Sequence, residues 1–185
     1  MKKTLIVVAH PNIENSVVNQ RWIKELKKYP VQFTVHELYK AYPDGRINIE
    51  AEQRLVEQHE SLVLQFPIYW FNCPPMLKQW LDEVFLYGWA YGSTGDKLKN
   101  KKMAVAVTAG IGLADYRTNG RYKFTLEEVL RPFEITIKYV GAEYIPHFAF
   151  YGAEHNPSQE VINENAEAYV KYLAKLTCSE PATNN

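Results

Sequence analysis

The chain has no excess of charge of either sign, with 21 Lys and Arg against 21 Asp and Glu in 185 residues. The basic stripe by which proteins neutralise the phosphates of a nucleic acid is missing, which argues against a nucleic-acid partner. Cysteine is scarce. Cys73 and Cys178 stand far apart, in neither a CxxC nor a metal-like spacing, so neither a disulfide framework nor a zinc site is expected. No apolar run approaches the roughly 20 residues that a membrane helix requires. The opening Met1-Lys2-Lys3-Thr4 imitates the head of a signal peptide, but its apolar stretch, Leu5 to Ala9, stops at His10-Pro11. It reads instead as a first strand, and the chain as a reduced, cytoplasmic protein. Several catalytic signatures are also missing. Without GxxxxGK[ST] or GxGxxG, neither nucleoside triphosphate chemistry nor dinucleotide binding at a glycine-rich turn is indicated. Without HExxH or GxSxG, neither zinc-dependent nor serine-dependent hydrolysis is.

Aromatic residues are abundant, at 14% with 13 Tyr and 4 Trp. They cluster at loop positions rather than along strands, which suits a flat, conjugated ligand. Leu5 to Ala9 is a continuous apolar run of the kind a central strand buries on both faces. Val17 to Lys28 reads as a helix capped by Ser16, and Val31, Phe33 and Val35 alternate with polar residues as a second strand. A helix at 50–59 and a strand at 61–66 follow. Pro74-Pro75 opens a helix whose apolar stripe includes Met76, Leu77, Trp80, Leu81 and Val84. A strand at 103–107, a helix at 125–140 bent by Pro132, a fifth strand at 144–150 and a helix at 158–176 complete the pattern. The remaining residues, 177–185, read as a frayed tail beyond a single domain, 1–176. Alternation of strand and helix predicts a parallel sheet with helices on both faces. The expected fold is α/β, a flavodoxin-like five-stranded sheet of order 2-1-3-4-5, with its ligand beyond the carboxyl ends of the strands.

Three loops fall at that edge. The first, Ala9 to Asn19, runs into a helix N-terminus, where free N–H groups and the helix dipole favour an anion. A small phosphate site is expected there, with His10, Ser16 and Asn19 as side-chain donors. The second, Phe66-Pro67-Ile68-Tyr69-Trp70-Phe71, places bulky rings directly after a central strand, where they would cover one face of a planar ring. The third begins Thr108-Ala109-Gly110-Ile111-Gly112 and runs on to Tyr116 and Tyr122. Its glycines let backbone N–H groups approach a ligand and stabilise charge that develops on it. Cys73, in an apolar setting flanked by prolines, reads as structural rather than nucleophilic.

The segments AHPNIENSVVN, QFPIYWFNCPPMLKQWLDEVF, YGWAYG, VTAG and GRYKFTLEEVLRP together resemble the NAD(P)H:quinone oxidoreductases of flavodoxin-like fold. The nearest branch is that of short bacterial reductases, ancillary subunits of glutathione-gated potassium-efflux systems. That branch also carries a LYxxYPD element before an EQ-containing helix, here Leu38 to Asp44 and then Glu52-Gln53. The resemblance implies non-covalent FMN rather than FAD, since larger FAD-using relatives carry a longer C-terminal extension. It implies NAD(P)H as co-substrate and a quinone or similar acceptor, served in two-electron, ping-pong turnover. By the same resemblance His10, Ser16, Val17, Val18 and Asn19 hold the flavin phosphate. Pro67, Ile68, Tyr69, Trp70 and Phe71 lie along the ribityl chain and ring, and Thr108, Ala109, Gly110 and Ile111 face N5 and the pyrimidine edge. Tyr116 and Tyr122 are the implied catalytic residues. Ile111 stands where the family commonly has a second glycine, and a β-branched residue there resists a positive φ. Tyr122 stands where some members carry a histidine. The resemblance also implies a homodimer, with Trp89 and Tyr91 reaching across its interface, and a membrane transporter as a candidate partner.

Overall fold

The computed structural model describes residues 3–177. β1 (Thr4–Val8) is buried at every position, as its unbroken apolar run requires of a strand covered on both faces. It pairs with β2 (Phe33–Glu37) on one side and β3 (Ser61–Pro67) on the other, and β3 pairs with β4 (Lys102–Thr108), all in parallel. The order is β2-β1-β3-β4-β5, the flavodoxin-like order predicted.

The fifth strand is two. β5 (Glu143–Tyr144) and β6 (Phe148–Phe150) both pair with β4, in parallel. Pro146 lies between them and has no N–H for the ladder, while its carbonyl accepts from the Tyr172 hydroxyl at 2.7 Å. A similar correction applies to the helix at 125–140. A one-turn α5 (Leu126–Val129), closed by a capping box between Thr125 and Glu128, gives way at Leu130 to α6 (Arg131–Tyr139). Pro132, in the first turn of α6, lacks the N–H that would continue α5.

One face of the sheet is covered by α1 (Val17–Leu26) and α7 (Gln159–Thr177), joined by Trp22 against Tyr169 at 4.6 Å between ring centroids. The other face carries α3 (Ile49–Glu57), α4 (Pro75–Val84), α5 and α6 over a second apolar core. The tail expected at 177–185 lies, from residue 178 on, outside the described residues. Among them no helix is long and apolar enough to cross a membrane.

The LYxxYPD element is a structural clamp. A one-turn α2 (Leu38–Ala41) leads to Tyr42, whose hydroxyl donates to the buried Glu52 carboxylate at 2.5 Å. The same carboxylate meets His36 Nε2 at 2.9 Å and accepts from Trp80 Nε1 at 2.7 Å. Burial alone would raise the Glu52 carboxyl; the hydrogen bonds from His36, Tyr42 and Trp80 outweigh it and hold the group below the usual carboxylate range. Gln53 Nε2 donates to the Val84 carbonyl at 3.0 Å and Gln79 Nε2 to the Gly45 carbonyl at 2.8 Å. Together these tie β2, α2 and α3 to α4.

Acid should loosen this fold. Burial pushes the imidazoles of His10, His59 and His147 below their ordinary range. Each binds a proton more readily unfolded than folded, so stability falls as pH drops through about 6.5. Glu52 acts in the same direction at lower pH, since its depressed carboxyl adds stability that is lost on protonation. Melting temperatures of the apoprotein should decline steadily from about pH 7.5 to about pH 5; a flat profile would contradict these assignments.

Candidate functional site

Ser16 leaves the loop after β1 in extended conformation and caps α1, its Oγ accepting from the Asn19 N–H at 3.3 Å. The N–H groups of Val17 and Val18 are left at the open start of the helix, where the dipole favours an anion. His10 Nδ1 accepts from the Asn12 N–H at 3.2 Å. That bond assigns the proton to Nε2, and burial keeps the ring neutral, so His10 presents one N–H donor to a ligand.

Asn19 does not present one. Its amide donates to Ser16 Oγ at 3.1 Å and to Thr108 Oγ1 at 3.0 Å, and its oxygen accepts from Gln65 Nε2 at 3.1 Å. Gln65 in turn accepts from the Tyr169 hydroxyl at 3.3 Å. Asn19 is therefore a positioning residue that ties α1 to β3 and β4 beneath the site, rather than the direct donor expected.

After β3 the chain makes a tight turn, with Tyr69 and Asn72 exchanging backbone hydrogen bonds at 2.9 and 3.0 Å. Its central residues, Trp70 and Phe71, have φ of 49° and 60°. Such a turn normally takes Gly or Asn, so two bulky residues here store backbone strain, a feature that concentrates at functional sites. Trp70 is 94% exposed. Phe71 meets Tyr122 edge-on at 5.0 Å, which joins this loop to the one after β4.

In that third loop Ile68 N–H donates to the Thr108 carbonyl and Ala109 N–H to the Phe150 carbonyl. The Ala109 N–H is thus engaged in the sheet edge. Among the described residues the N–H groups of Gly110, Ile111 and Gly112 have no protein acceptor. Ile111 avoids the left-handed region, so its β-branched side chain is accommodated without strain. Tyr116 is 4% exposed and packs against Tyr122 and Tyr151 at 5.7 and 6.0 Å. Burial raises its phenol above the ordinary range, and its hydroxyl has no hydrogen bond within the described residues.

His10, Ser16, Val17, Val18, Pro67, Ile68, Tyr69, Thr108 and Gly110 line one cleft of ≈280 Å³. Phe71, Tyr116 and Tyr122 form an adjoining aromatic group, while Asn19, Trp70, Ala109 and Ile111 do not line the cleft. Sequence reasoning missed Asn12, Asn15, Ala153 and Glu154, which do line it. Glu154 had one available signal, its place just past the carboxyl end of β6. A larger open cleft of ≈770 Å³ lies along the outer side of α1, away from the loops after β3 and β4.

Trp89 is buried within its own subunit, with Nε1 donating to Glu57 at 2.7 Å. Tyr91 packs between Tyr87 and Tyr139, and it is these two rings that are exposed. Burial raises the Cys73 thiol, in keeping with a structural cysteine. The cleft can hold a phosphate at the start of α1 and a chain running toward free N–H groups and aromatic rings.

Residues 2–173 match a family model described as flavodoxin-like fold. The chain is 45% identical over 171 residues to the uncharacterized NAD(P)H oxidoreductase YrkL of Bacillus subtilis, covering 92% of this chain and 97% of the relative. It is 36% identical to the glutathione-regulated potassium-efflux system ancillary protein KefG of Yersinia pestis, over 92% of this chain and 93% of that protein. Among solved structures it resembles general stress protein 14 of Treponema denticola in complex with FMN, at 52% identity and a TM-score of 0.91. That match covers 95% of this chain and 99% of the other. An NADPH-quinone reductase from P. pentosaceus matches at 29% identity and a TM-score of 0.84, over 92% and 97% of the two chains.

Proposed function

Because this chain belongs to the family of flavodoxin-like fold, we propose that it is an FMN-dependent NAD(P)H:quinone oxidoreductase acting through a two-electron, ping-pong route. The observation that carries the reading is the convergence of three loops on one cleft, with an anion site at the start of α1 and unpaired N–H groups after β4. Similarity to an FMN complex, to an NAD(P)H oxidoreductase and to a quinone reductase supports it.

The residues fit FMN. Val17 and Val18 N–H, Ser16 and the Nε2–H of His10 would hold its phosphate, with Asn19 fixing Ser16 from behind. Ile68 and Tyr69, with Phe71 beside them, would flank the ring, and the Gly110 N–H would meet its pyrimidine edge. FMN, when bound, supplies hydride transfer between nicotinamide and quinone. Tyr116 would serve as a phenol donor to the bound flavin, its buried setting keeping the proton on oxygen. Tyr122 orients Tyr116 and Phe71 by ring contact. Initial rates at varied quinone should give parallel double-reciprocal lines as NAD(P)H is changed; intersecting lines would contradict the ping-pong route.

Tyr116→Phe keeps the ring and removes only the hydroxyl. Loss of one preorganised donor reaches about 3–4 kcal/mol in strong cases. For a single neutral donor about 1–2 kcal/mol is expected, or five- to thirtyfold in the rate of reduction by NAD(P)H. Stopped-flow absorbance reads this directly. A rate within twofold of wild type at equal flavin content would remove Tyr116 from the catalytic residues.

The exposed Trp70, Tyr87 and Tyr139 rings suit burial in a homodimer, and a monomer mass by light scattering would contradict that assignment. The likeness to KefG supports a second reading, in which the chain docks on a membrane transporter and reaches the inner face of the membrane through it. Such docking would be protein to protein. Failure to co-purify with a potassium-efflux transporter would rule this reading out.

A further inference from the structure

Gly110 is not a glycine for conformational reasons, because its φ lies outside the left-handed region. It marks instead where the end of a flexible, exposed glutamate side chain comes close. A Cβ built there would stand 2.6 Å from Glu154 Cδ and 2.7 and 3.0 Å from its two carboxylate oxygens. The Glu154 carboxylate therefore lies against Gly110, on the wall of the cleft that Ser16, Val17 and Val18 also line. A backbone ladder holds it there. Glu154 N–H donates to the Gly110 carbonyl at 3.0 Å, Ala153 N–H to that of Ala109 at 3.0 Å, and Gly152 N–H to that of Ile111 at 2.8 Å. Among the described residues no protein donor meets the carboxylate itself.

An ionised carboxylate only accepts hydrogen bonds. In a cleft that also attracts a phosphate it would repel the ligand unless donors lay between the two charges. FMN carries such donors there, as the three ribityl hydroxyls between phosphate and ring. The one donor of its oxidised ring, N3–H, lies beyond them. We propose that Glu154 accepts hydrogen bonds from the ribityl hydroxyls and is a cofactor-binding residue of this site. The proposal rests on the FMN reading above. It assigns the carboxylate the task of selecting a polyhydroxylated phosphate ester over a simple phosphate.

The test compares two ligands on the deflavinated protein by quenching of flavin fluorescence. One is FMN and the other an analogue with hydrogen in place of the three ribityl hydroxyls. A hydrogen bond to a charged group is worth about tenfold or more in affinity. Glu154→Ala should weaken FMN binding by about that factor and leave the analogue within about twofold of its wild-type value. Glu154→Gln keeps an acceptor oxygen and should recover part of the loss. Glu154 is exposed, so the apoprotein's melting temperature should hold in both variants. Equal weakening of both ligands would overturn the proposal by placing Glu154 at the ring or the phosphate. Unchanged or tighter FMN binding in Glu154→Ala would overturn it as well. A wild-type protein with no affinity for FMN would instead defeat the flavin reading, and the proposal with it.

Discussion

Glu52→Ala is expected to cost the apoprotein about 3 kcal/mol, the scale of breaking a buried charged network. The change deletes one carboxylate and leaves three buried or half-buried groups, Tyr42 Oη, His36 Nε2 and Trp80 Nε1, without the acceptor they share. Each unpaired donor adds a desolvation penalty of about 1–3 kcal/mol when water cannot reach it. Some access at Tyr42 and His36 holds the sum to the lower figure. For a chain of this length each kcal/mol shifts the melting temperature by about 2–4 °C, so a fall of roughly 6–12 °C is predicted. Glu52→Gln keeps one acceptor oxygen but turns an NH₂ toward the same donors, and should lose less. Neither change touches the cleft, so folded protein should keep its flavin affinity. A melting temperature within 2 °C of wild type in Glu52→Ala would show that the clamp contributes little.

His10→Ala should act in the opposite way, on the ligand and hardly on the fold. The ring is neutral, with Nδ1 occupied by the Asn12 N–H and Nε2–H available. A hydrogen bond from it to a phosphate is worth about 1.5–3 kcal/mol, which is roughly ten- to hundredfold in the FMN dissociation constant. Titration of deflavinated protein with FMN measures this, and a thermal melt of the same sample provides the control. Unchanged affinity would make His10 a structural residue.

The contrast between these two residues tracks what the sequence made legible. His10 was readable as a residue of the cleft because it follows a strand and precedes a helix start. Ser16 was readable as a cap for the same local reason. Glu52 was not. An acid within a helical pattern reads as a solvated face, and its partners lie 10, 16 and 28 residues away. Only the assembled sheet brings them together. Asn19 shows the same limit, since its residue type suited a donor but its bond to Thr108, 89 residues on, absorbs that capacity. The central strands were legible from unbroken apolar runs. The break at Pro146 and the split at Pro132 are local proline effects whose consequence depended on which ladder or helix bond was lost. The one-turn α2 is too short to show a period at all.

The most direct test of the account is chromatography of the flavin released when the purified protein is heat-denatured. A yellow protein that releases FMN is expected. FAD as the dominant species would contradict the cofactor assignment, and a colourless protein that FMN cannot reconstitute would contradict the flavin-dependent function itself.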